Sequence, residues 1–223
     1  MCGRFTITLD PAEFQEEFEL GPFPEVFRPR YNVAPTQSVF VVRDPQNRQI
    51  EKMRWGLVPF WAKDVSIGSR MINARGETLT EKPAFRGAFQ KRRCLILADG
   101  FYEWDKGPRG KGPSIPHYFY LNPQKPFFFA GLWESWGPVD QEPVLSCTII
   151  TCQPNDLVAQ YHDRMPVIMD NETAWQWLGN ESNSQQLLSL LRPYSAQAMG
   201  ERAVGSTVNS PATDTPSLID PLS

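Results

Sequence analysis

The most distinctive chemistry in the sequence lies at its start, where Cys2 directly follows Met1. Removal of Met1 would leave Cys2 with a free α-amine and a thiol on adjacent carbon atoms. These groups titrate at about pH 8 and about pH 8.5, so neutral amine and thiolate are both present near neutrality. Such a pair can trap an aldehyde as a Schiff base that closes to a thiazolidine, and the thiol alone could act as a nucleophile. The alternative is a small residue on a frayed terminus.

Two further residues could transfer protons. Glu103 follows an apolar run and is flanked by aromatic residues, which should desolvate its carboxyl group, raise its pKa and let it act as a general acid. His162 lies in a loop beside a carboxylate and a guanidinium, which makes it a better functional candidate than His117, in an alternating strand-like pattern. The alternatives are an ion-paired glutamate at a strand end and a structural histidine.

Other side chains could bind and orient a substrate. The amide of Asn73 could orient a hydroxyl or carbonyl group, although a turn or cap residue is the alternative. Guanidinium groups bind phosphates in a bidentate manner, and exposed rings stack on bases. The residues that fit these two roles are Arg4, Arg75 and Arg164 for phosphates, and Pro35 and Trp61 for bases.

The elements that must position these residues are mainly strands. A capping box at Asp10 and Glu13, with Pro11 in the first turn, predicts a helix, and Asp170 caps another. Strands are predicted at 38–42, 50–55, 94–104, 117–121, 127–132, 144–151 and near 203–208, and short helices at 79–89 and 184–191. The segment 106–116 is rich in Gly, Pro and basic residues and is predicted to be a mobile connection.

Composition favours one domain over residues 1–223. The chain has 223 residues, 41% of them hydrophobic, and 21 prolines, which favours a loop-rich α+β domain with more strand than helix over a helical bundle. We expect the final residues, about ten, to form a loose tail.

The sequence argues against disulfides, metals and membranes. The four cysteines and two histidines show no C-x-x-C or H-x-x-x-H spacing, so we expect reduced thiols, no metal site and no cofactor. There is no secretory signal and no apolar run approaching the length of a membrane span. We therefore expect an intracellular, cytoplasmic protein.

Charge is unevenly distributed along the chain. The net charge is −3, yet residues 52–111 carry 13 basic and 6 acidic residues, whereas the chain from residue 131 onward carries 3 basic and 11 acidic. A basic centre on an acidic chain is compatible with a localised phosphate-binding face. A solvated charged surface is the alternative.

Six segments taken together resemble one family. In chain order they are Met-Cys-Gly-Arg-Phe at 1–5, Tyr-Asn-Val-Ala-Pro at 31–35, Trp-Gly-Leu-Val-Pro at 55–59, Ile-Asn-Ala-Arg-Gly-Glu-Thr at 72–78, Asp-Gly-Phe-Tyr-Glu-Trp at 99–104 and His-Asp-Arg-Met-Pro at 162–166. They resemble the SRAP family, the SOS-response-associated peptidases, which process abasic sites. Six ordered motifs are far more specific than any one of them.

This resemblance implies a fold and a reaction. The fold would be a single β-rich α+β domain with a curved sheet or pseudo-barrel, peripheral short helices and a single-strand groove. Met1 would be removed autocatalytically. Cys2 would then react, by lyase-type Schiff-base chemistry, with the ring-opened aldehyde of an abasic site in single-stranded DNA and leave a thiazolidine cross-link.

The resemblance also implies a role for each site residue. Glu103 matches the acid that assists ring opening, His162 a residue that stabilises the sugar and assists reversal, and Asn73 a residue that orients the N-terminal group. The implied DNA contacts are Arg4, Arg75 and Arg164 to phosphates, with Pro35 and Trp61 where the strand bends and its bases stack. We expect a monomer whose partner is single-stranded DNA, associated with the nucleoid if the source is bacterial.

Two other functions compete with this one. Cys2 could be the nucleophile of a peptidase or amidohydrolase acting in trans, which would need an oxyanion hole. The protein could also bind single strands passively, with Cys2 incidental, and would then show salt-sensitive binding without any covalent species.

Overall fold

Strands outnumber helices in the computed structural model, which describes residues 2–105, 114–138, 140–179 and 182–222. The strands are β1 Arg4–Ile7, β2 Arg30–Val33, β3 Ser38–Val42, β4 Glu51–Trp55, β5 Asn73–Arg75, β6 Arg93–Ala98, β7 Gly100–Asp105, β8 Ile115–Leu121, β9 Phe127–Trp136, β10 Val144–Cys152, β11 Met165–Pro166, β12 Ile168–Met169 and β13 Met199–Ala203. The α-helices are α1 Pro11–Phe18, α2 Arg86–Lys91, α3 Asn171–Leu178 and α4 Ser184–Ser189. This confirms the predicted α+β class.

The strands form two sheets. The first is antiparallel, in the order β13-β8-β7-β1-β2. In the second, β10, β4, β3, β6 and β9 pair in sequence, and β9 pairs back with β10, so these five strands close a ring. Three short strands add to this sheet. Strands β5 and β11 pair with the C-terminal end of β10, and β12 pairs with the N-terminal part of β9. The predicted pseudo-barrel is confirmed.

One strand prediction is wrong. The apolar run at 94–104 is two strands, because β6 belongs to the ring and β7 to the first sheet. The chain crosses between them at Asp99, whose buried carboxylate accepts hydrogen bonds from the hydroxyls of Thr6 and Thr8 and from the backbone N–H groups of Thr8 and Leu9. An unbroken apolar sequence cannot reveal such a crossing, since both strands are buried.

Other elements agree to different degrees. The capping box of α1 and the Asp170 cap of α3 are confirmed, as is the β3–β4 pair. The helix predicted at 79–89 begins only at residue 86, and the strand predicted near 203–208 ends at Ala203. In the predicted connection 106–116, residues 106–113 lie outside the described part, and Ile115 and Pro116 belong to β8.

The described C-terminal residues are not a loose tail. Asp214 accepts hydrogen bonds from the backbone N–H groups of Tyr31 and Asn32. Leu218 is buried, and the N–H of Leu222 donates to the carbonyl of Ala203 at 2.8 Å. Burial of one leucine and satisfaction of backbone groups on β2 and β13 hold this segment in place.

The first sheet is covered on both faces. On the inner face, Phe5 packs edge-on against Trp55 and Phe129 of the ring, with ring centroids 5.2 and 5.6 Å apart. On the outer face, Tyr102 and Tyr118 pack with buried apolar residues of the C-terminal segment. Residues of the first sheet that point inward therefore face the ring.

None of the described helices is long and apolar enough to span a bilayer.

A close backbone contact fixes the loop after β4. Gly56 has φ +124°, and a Cβ atom built on it would lie 2.5 Å from the carbonyl oxygen of Gly68. Its N–H donates to the carbonyl of Cys147 at 2.8 Å. Both the left-handed backbone and the lack of space require glycine here.

We predict that Gly56→Ala lowers the free energy of unfolding by about 2–4 kcal/mol, because the methyl group adds strain and collides with backbone. Gly87→Ala is the matched control, since Gly87 is exposed in α2 and its added Cβ meets only the Arg92 side chain, at 3.6 Å. The control should change stability by no more than about 1 kcal/mol. Urea denaturation measures both, and equal small effects would contradict the prediction.

Candidate active site

The N-terminal segment runs into the seam between the two sheets. Strand β1 lies between β2 and β7, with Arg4 paired to Tyr102 and Phe5 to Phe101. Continued by one residue, this antiparallel register puts Gly3 opposite Glu103, and the adjacent Cys2 is close enough for the charge of Glu103 to act on its thiol. On the other side, the side-chain N–H of Asn73 donates to the carbonyl of Cys2 at 2.9 Å. Cys2 is fully buried, so both sheets contribute to its surroundings.

The surroundings of Cys2 favour the thiol over the thiolate. Burial, and next the negative charge of Glu103, raise the pKa of the Cys2 thiol well above its ordinary value. The sequence alone suggested an ordinary cysteine with some thiolate near neutrality. The structure differs because desolvation penalises the charged form and a nearby carboxylate repels it.

Glu103 is buried on the inner face of the first sheet, with 2% of its surface exposed. Its direct cross-strand partner on β8 is His117. The burial agrees with the desolvation expected from its aromatic neighbours in sequence. Glu103 and Cys2 are both buried between the two sheets, so bulk water does not separate the carboxyl group from the N-terminal segment.

Asn73 is positioned by β10. Strand β5 pairs in parallel with this strand, Asn73 opposite Ile149, and the indole N–H of Trp55 donates to the carbonyl of Ile72 at 2.9 Å. The side-chain oxygen of Asn73 is buried and has no hydrogen-bond partner among the described residues. The amide thus holds Cys2 with its donor and keeps an acceptor for another group.

The orientation of His162 is fixed by its own loop. The backbone N–H of Arg164 donates to Nδ1 of His162 at 3.0 Å, so in the neutral imidazole the proton lies on Nε2. Asp163, whose side chain is 87% exposed, places an oxygen 2.9 Å from the same Nδ1. That second contact is favourable only when Nδ1 is protonated. Asp163 is solvated and does not need this contact. We therefore take Nδ1 of His162 as the acceptor of the Arg164 N–H.

Arg164 is placed differently from the phosphate clamp predicted for it. Its guanidinium donates to both carboxylate oxygens of Glu77, at 2.7 and 2.8 Å, and to the carbonyl of Thr151 at 2.7 Å. Arg164 is only 6% exposed. The fork that would hold a phosphate is occupied by Glu77, so Arg164 joins the segment after Asn73 to the segment after His162.

The other predicted DNA contacts lie nearer the surface. Arg75 is exposed, and its guanidinium makes no hydrogen bond within the described part of the chain. Arg4 is half-buried and donates to Asn32 at 2.9 Å and to the carbonyl of Val208 at 2.7 Å. Both acceptors are neutral, so the positive charge of Arg4 is not cancelled by them. Pro35 is half-buried after β2.

The loop after β4 presents two aromatic rings to solvent. Trp61 is 49% and Phe60 69% exposed. The loop is held by the N–H of Val58, which donates to the Ser146 hydroxyl at 2.9 Å, and by the indole N–H of Trp136, which donates to the carbonyl of Ala62 at 2.7 Å. A fixed loop with exposed rings can present a stacking surface.

The structure therefore brings Cys2, Asn73 and Glu103 together and places His162 on the loop before β11. Strand β11 pairs with the same end of β10 that pairs with β5. Among the described residues, no group of three His, Cys, Asp or Glu side chains could hold a metal ion.

One family model matches most of the chain. The profile of the family described as "SOS response associated peptidase (SRAP)" covers residues 1–211. The chain belongs to the SRAP family.

Named SRAP relatives share most of their length with this chain. It is 45% identical over 225 residues to the abasic site processing protein YoqW of Bacillus subtilis, covering 99% of each. It is 33% identical over 265 residues to the abasic site processing protein HMCES of Gallus gallus, covering all of this chain and 78% of that protein.

Solved structures share the SRAP chain's fold. A Bacteroides thetaiotaomicron protein superposes with a TM-score of 0.88 at 23% identity, covering 99% of this chain and all of the other. A Bordetella bronchiseptica protein gives a TM-score of 0.79 at 27% identity, covering 92% of this chain and all of the other. The first of these shows the fold alone.

Two residues of the candidate site were missed by sequence reasoning. Phe60 could have been found, because it stands beside Trp61 in an aromatic loop with Gly and Pro. Glu77 lies within a recognised motif, but its partner Arg164 is 87 residues away. No local pattern connects the two.

The Arg164–Glu77 pair generates a prediction about stability. Glu77→Gln should lower the free energy of unfolding at pH 7 by about 1–3 kcal/mol, because it leaves a buried guanidinium without its counter-charge. The matched control is Glu51→Gln, because the guanidinium of Arg43 also donates to both carboxylate oxygens of Glu51, at 2.7 and 2.9 Å, but the Arg43 side chain is 30% exposed whereas that of Arg164 is 7% exposed. We expect a smaller loss there, about 0.5 kcal/mol.

The same pair predicts a pH dependence. Its hydrogen bonds to Arg164 hold the pKa of Glu77 below its ordinary value of 4.5. A carboxyl group with a lowered pKa in the folded state stabilises the protein above the ordinary value and loses this contribution as pH falls through the lowered one. Urea titrations should therefore show the wild-type advantage over Glu77→Gln shrinking below pH 4.5; an advantage that grows there would refute the assignment.

Proposed function

We propose that this SRAP protein processes abasic sites in single-stranded DNA by capturing them covalently through Cys2, after Met1 has been removed. The observation that carries the proposal is the position of Cys2 between Glu103 and Asn73, at the seam of two sheets. Relatives that match nearly the whole chain are named abasic site processing proteins, which supports the substrate.

The proposed reaction uses the α-amine first. The amine attacks the aldehyde of the ring-opened sugar, and loss of one water gives a Schiff base. The sulfur of Cys2 then bonds to the imine carbon, its proton passes to the nitrogen, and a five-membered thiazolidine closes. This order suits a thiol whose pKa is raised by burial, since a neutral thiol is a poor first nucleophile.

Neighbouring side chains supply the proton transfers. Glu103, buried beside the N-terminal segment, donates a proton for ring opening and for the departure of water. Asn73 holds the carbonyl of Cys2 and offers its free acceptor to the amine or to a sugar hydroxyl. In its neutral form His162 presents Nε2–H, a donor suited to a sugar or phosphate oxygen.

The DNA strand would follow the exposed residues. Arg75 offers an unoccupied guanidinium beside Asn73, and Phe60 and Trp61 offer faces for bases. Arg4 would contribute positive charge close to the DNA backbone, and Pro35 would lie where the DNA strand bends. Arg164 acts in this scheme through Glu77, as a positioning residue.

Removal of Met1 would free the α-amine of Cys2 for this reaction. We propose that the residues around Cys2 also catalyse this removal. The family description as a peptidase fits cleavage of this one bond in cis. The competing function, peptide or amide hydrolysis in trans, would show turnover without DNA. Passive single-strand binding would show no covalent product.

We predict that wild-type protein forms a denaturant-resistant adduct with an abasic single-stranded oligonucleotide, one water lighter than the sum of its parts by intact mass. Cys2→Ala should form no thiazolidine adduct. Cys152→Ala is the matched control, because Cys152 is buried at the end of β10 without an α-amine beside its thiol, and it should react as the wild type does.

A second control separates the amine from the thiol. One alanine inserted between Met1 and Cys2 leaves the thiol in place but puts its nitrogen into a peptide bond. This variant should give no thiazolidine. The capture mechanism is wrong if the insertion variant still forms this adduct, or if wild type forms none with its N-terminal Cys2 confirmed by mass.

We further predict that Glu103→Gln slows adduct formation by on the order of 10²–10⁴-fold, the usual contribution of a general acid. Noncovalent affinity, measured in a Cys2→Ala background, should change little. Glu134→Gln is the control. Glu134 lies on β9 and is a buried carboxyl paired with Arg92, so this variant should form the adduct at the wild-type rate. Equal losses of affinity and rate in Glu103→Gln would instead indicate a structural role.

A further inference from the structure

A polar cluster lies on the inner face of the first sheet, beside Glu103. His117 is the direct cross-strand partner of Glu103, and opposite pairs in antiparallel sheets place their Cβ atoms about 5 Å apart. Glu201 pairs with Phe119 on the next strand and therefore points to the same face. Nδ1 of His117 hydrogen-bonds to the carboxylate of Glu201, so that nitrogen carries the proton.

The ring of Tyr161 closes over this cluster. It lies 4.2 Å from the His117 ring, at 37°, and meets Phe119 edge-on at 5.5 Å. Its hydroxyl lies near Glu201, and burial followed by the charge of that carboxylate raises the pKa of Tyr161. The side chain of Tyr161 is thus held by two ring contacts, to His117 and to Phe119.

Tyr161 directly precedes His162 in the chain. The backbone at this point leaves a 3-10 turn at 158–160, and the N–H groups of Tyr161 and His162 both donate to the carbonyl of Val158 at 2.9 Å. After His162, the chain is held at Arg164 and β11. Tyr161 is the side chain that connects this loop to β8, the strand whose His117 lies opposite Glu103.

We propose that Tyr161, packed against His117 and Phe119 of β8, is a positioning residue that sets the His162 imidazole relative to the strand pair carrying Glu103. This inference rests on the proposed capture chemistry. The role of Tyr161 in it is to act through His162, and it does not touch the DNA or the reacting atoms.

The decisive test is a double-mutant cycle on the rate of adduct formation at saturating oligonucleotide. Tyr161→Leu should slow the wild-type reaction on the order of 10–100-fold, as misplacement of a reacting group does. In a His162→Ala background the same substitution should change the rate by less than about 2-fold. Tyr161→Phe, which keeps both ring contacts and removes only the hydroxyl near Glu201, should give a smaller loss, less than about 5-fold.

The matched control is Tyr120→Leu. Tyr120 stands on β8 but on the outer face, where it stacks on Tyr118. It should change the rate by less than about 2-fold in either background. Equal slowing by Tyr161→Leu with and without His162 would overturn the inference, because a general weakening of the fold acts in both backgrounds.

A spectroscopic measurement separates this inference from the proposed function. The chain has two histidines, so nitrogen-15 imidazole spectra of Cys2→Ala protein contain two ring systems, assigned with His117→Phe. Tyr161→Leu should shift the His162 ring nitrogens, whereas Tyr120→Leu should not. Unmoved His162 signals would overturn the positioning role, while a wild-type protein without any adduct would overturn the capture chemistry alone.

Discussion

The site depends on the confinement of the first strand between two others. Strand β1 has partners on both edges, so its position along and across the sheet is fixed by backbone hydrogen bonds. The buried carboxylate of Asp99 secures its far end by accepting from Thr6, Thr8 and Leu9. Because Asp99 also marks the crossing from β6 to β7, one side chain fixes the N-terminal strand relative to the strand that carries Glu103.

The second half of the site is organised by β10. Its end pairs with β5 on one side and β11 on the other, and these short strands carry or precede the remaining polar residues. Short strands have few hydrogen bonds of their own. The Arg164–Glu77 pair adds a cross-connection between the two flanks, and its buried guanidinium would be costly to leave unpaired. The two halves meet at Cys2.

Local signals in the sequence were sufficient for the features that depend on neighbouring residues. The capping residues of α1 and α3, the β3–β4 pair and the burial of Glu103 could be predicted, because caps, alternation and aromatic flanks act within a few positions. The ordered motifs also identified the family. The roles of the site residues stay predictions, since their evidence is proximity and burial rather than chemistry observed.

What sequence reasoning could not supply depends on contacts between distant parts of the chain. The division of 94–104 into two strands follows from which sheet each half joins. Arg164 was predicted to bind phosphate because its partner Glu77 is far away in sequence. The C-terminal segment was predicted to be loose because no neighbouring residue indicates that Asp214 accepts hydrogen bonds from β2. The raised pKa of Cys2 likewise follows from a burial that two sheets create jointly.

The contacts of Arg4 have a consequence for the order in which the protein is made. Its guanidinium donates to Asn32 and to the carbonyls of Val208 and Asn209, and the strand it belongs to pairs with β2 and β7. A ribosome makes Asn32 soon after Arg4, yet the other two acceptors, at residues 208 and 209, are made about two hundred residues later. The contacts of Arg4 are therefore complete only after the C-terminal segment has been synthesised and has folded onto β1 and β2.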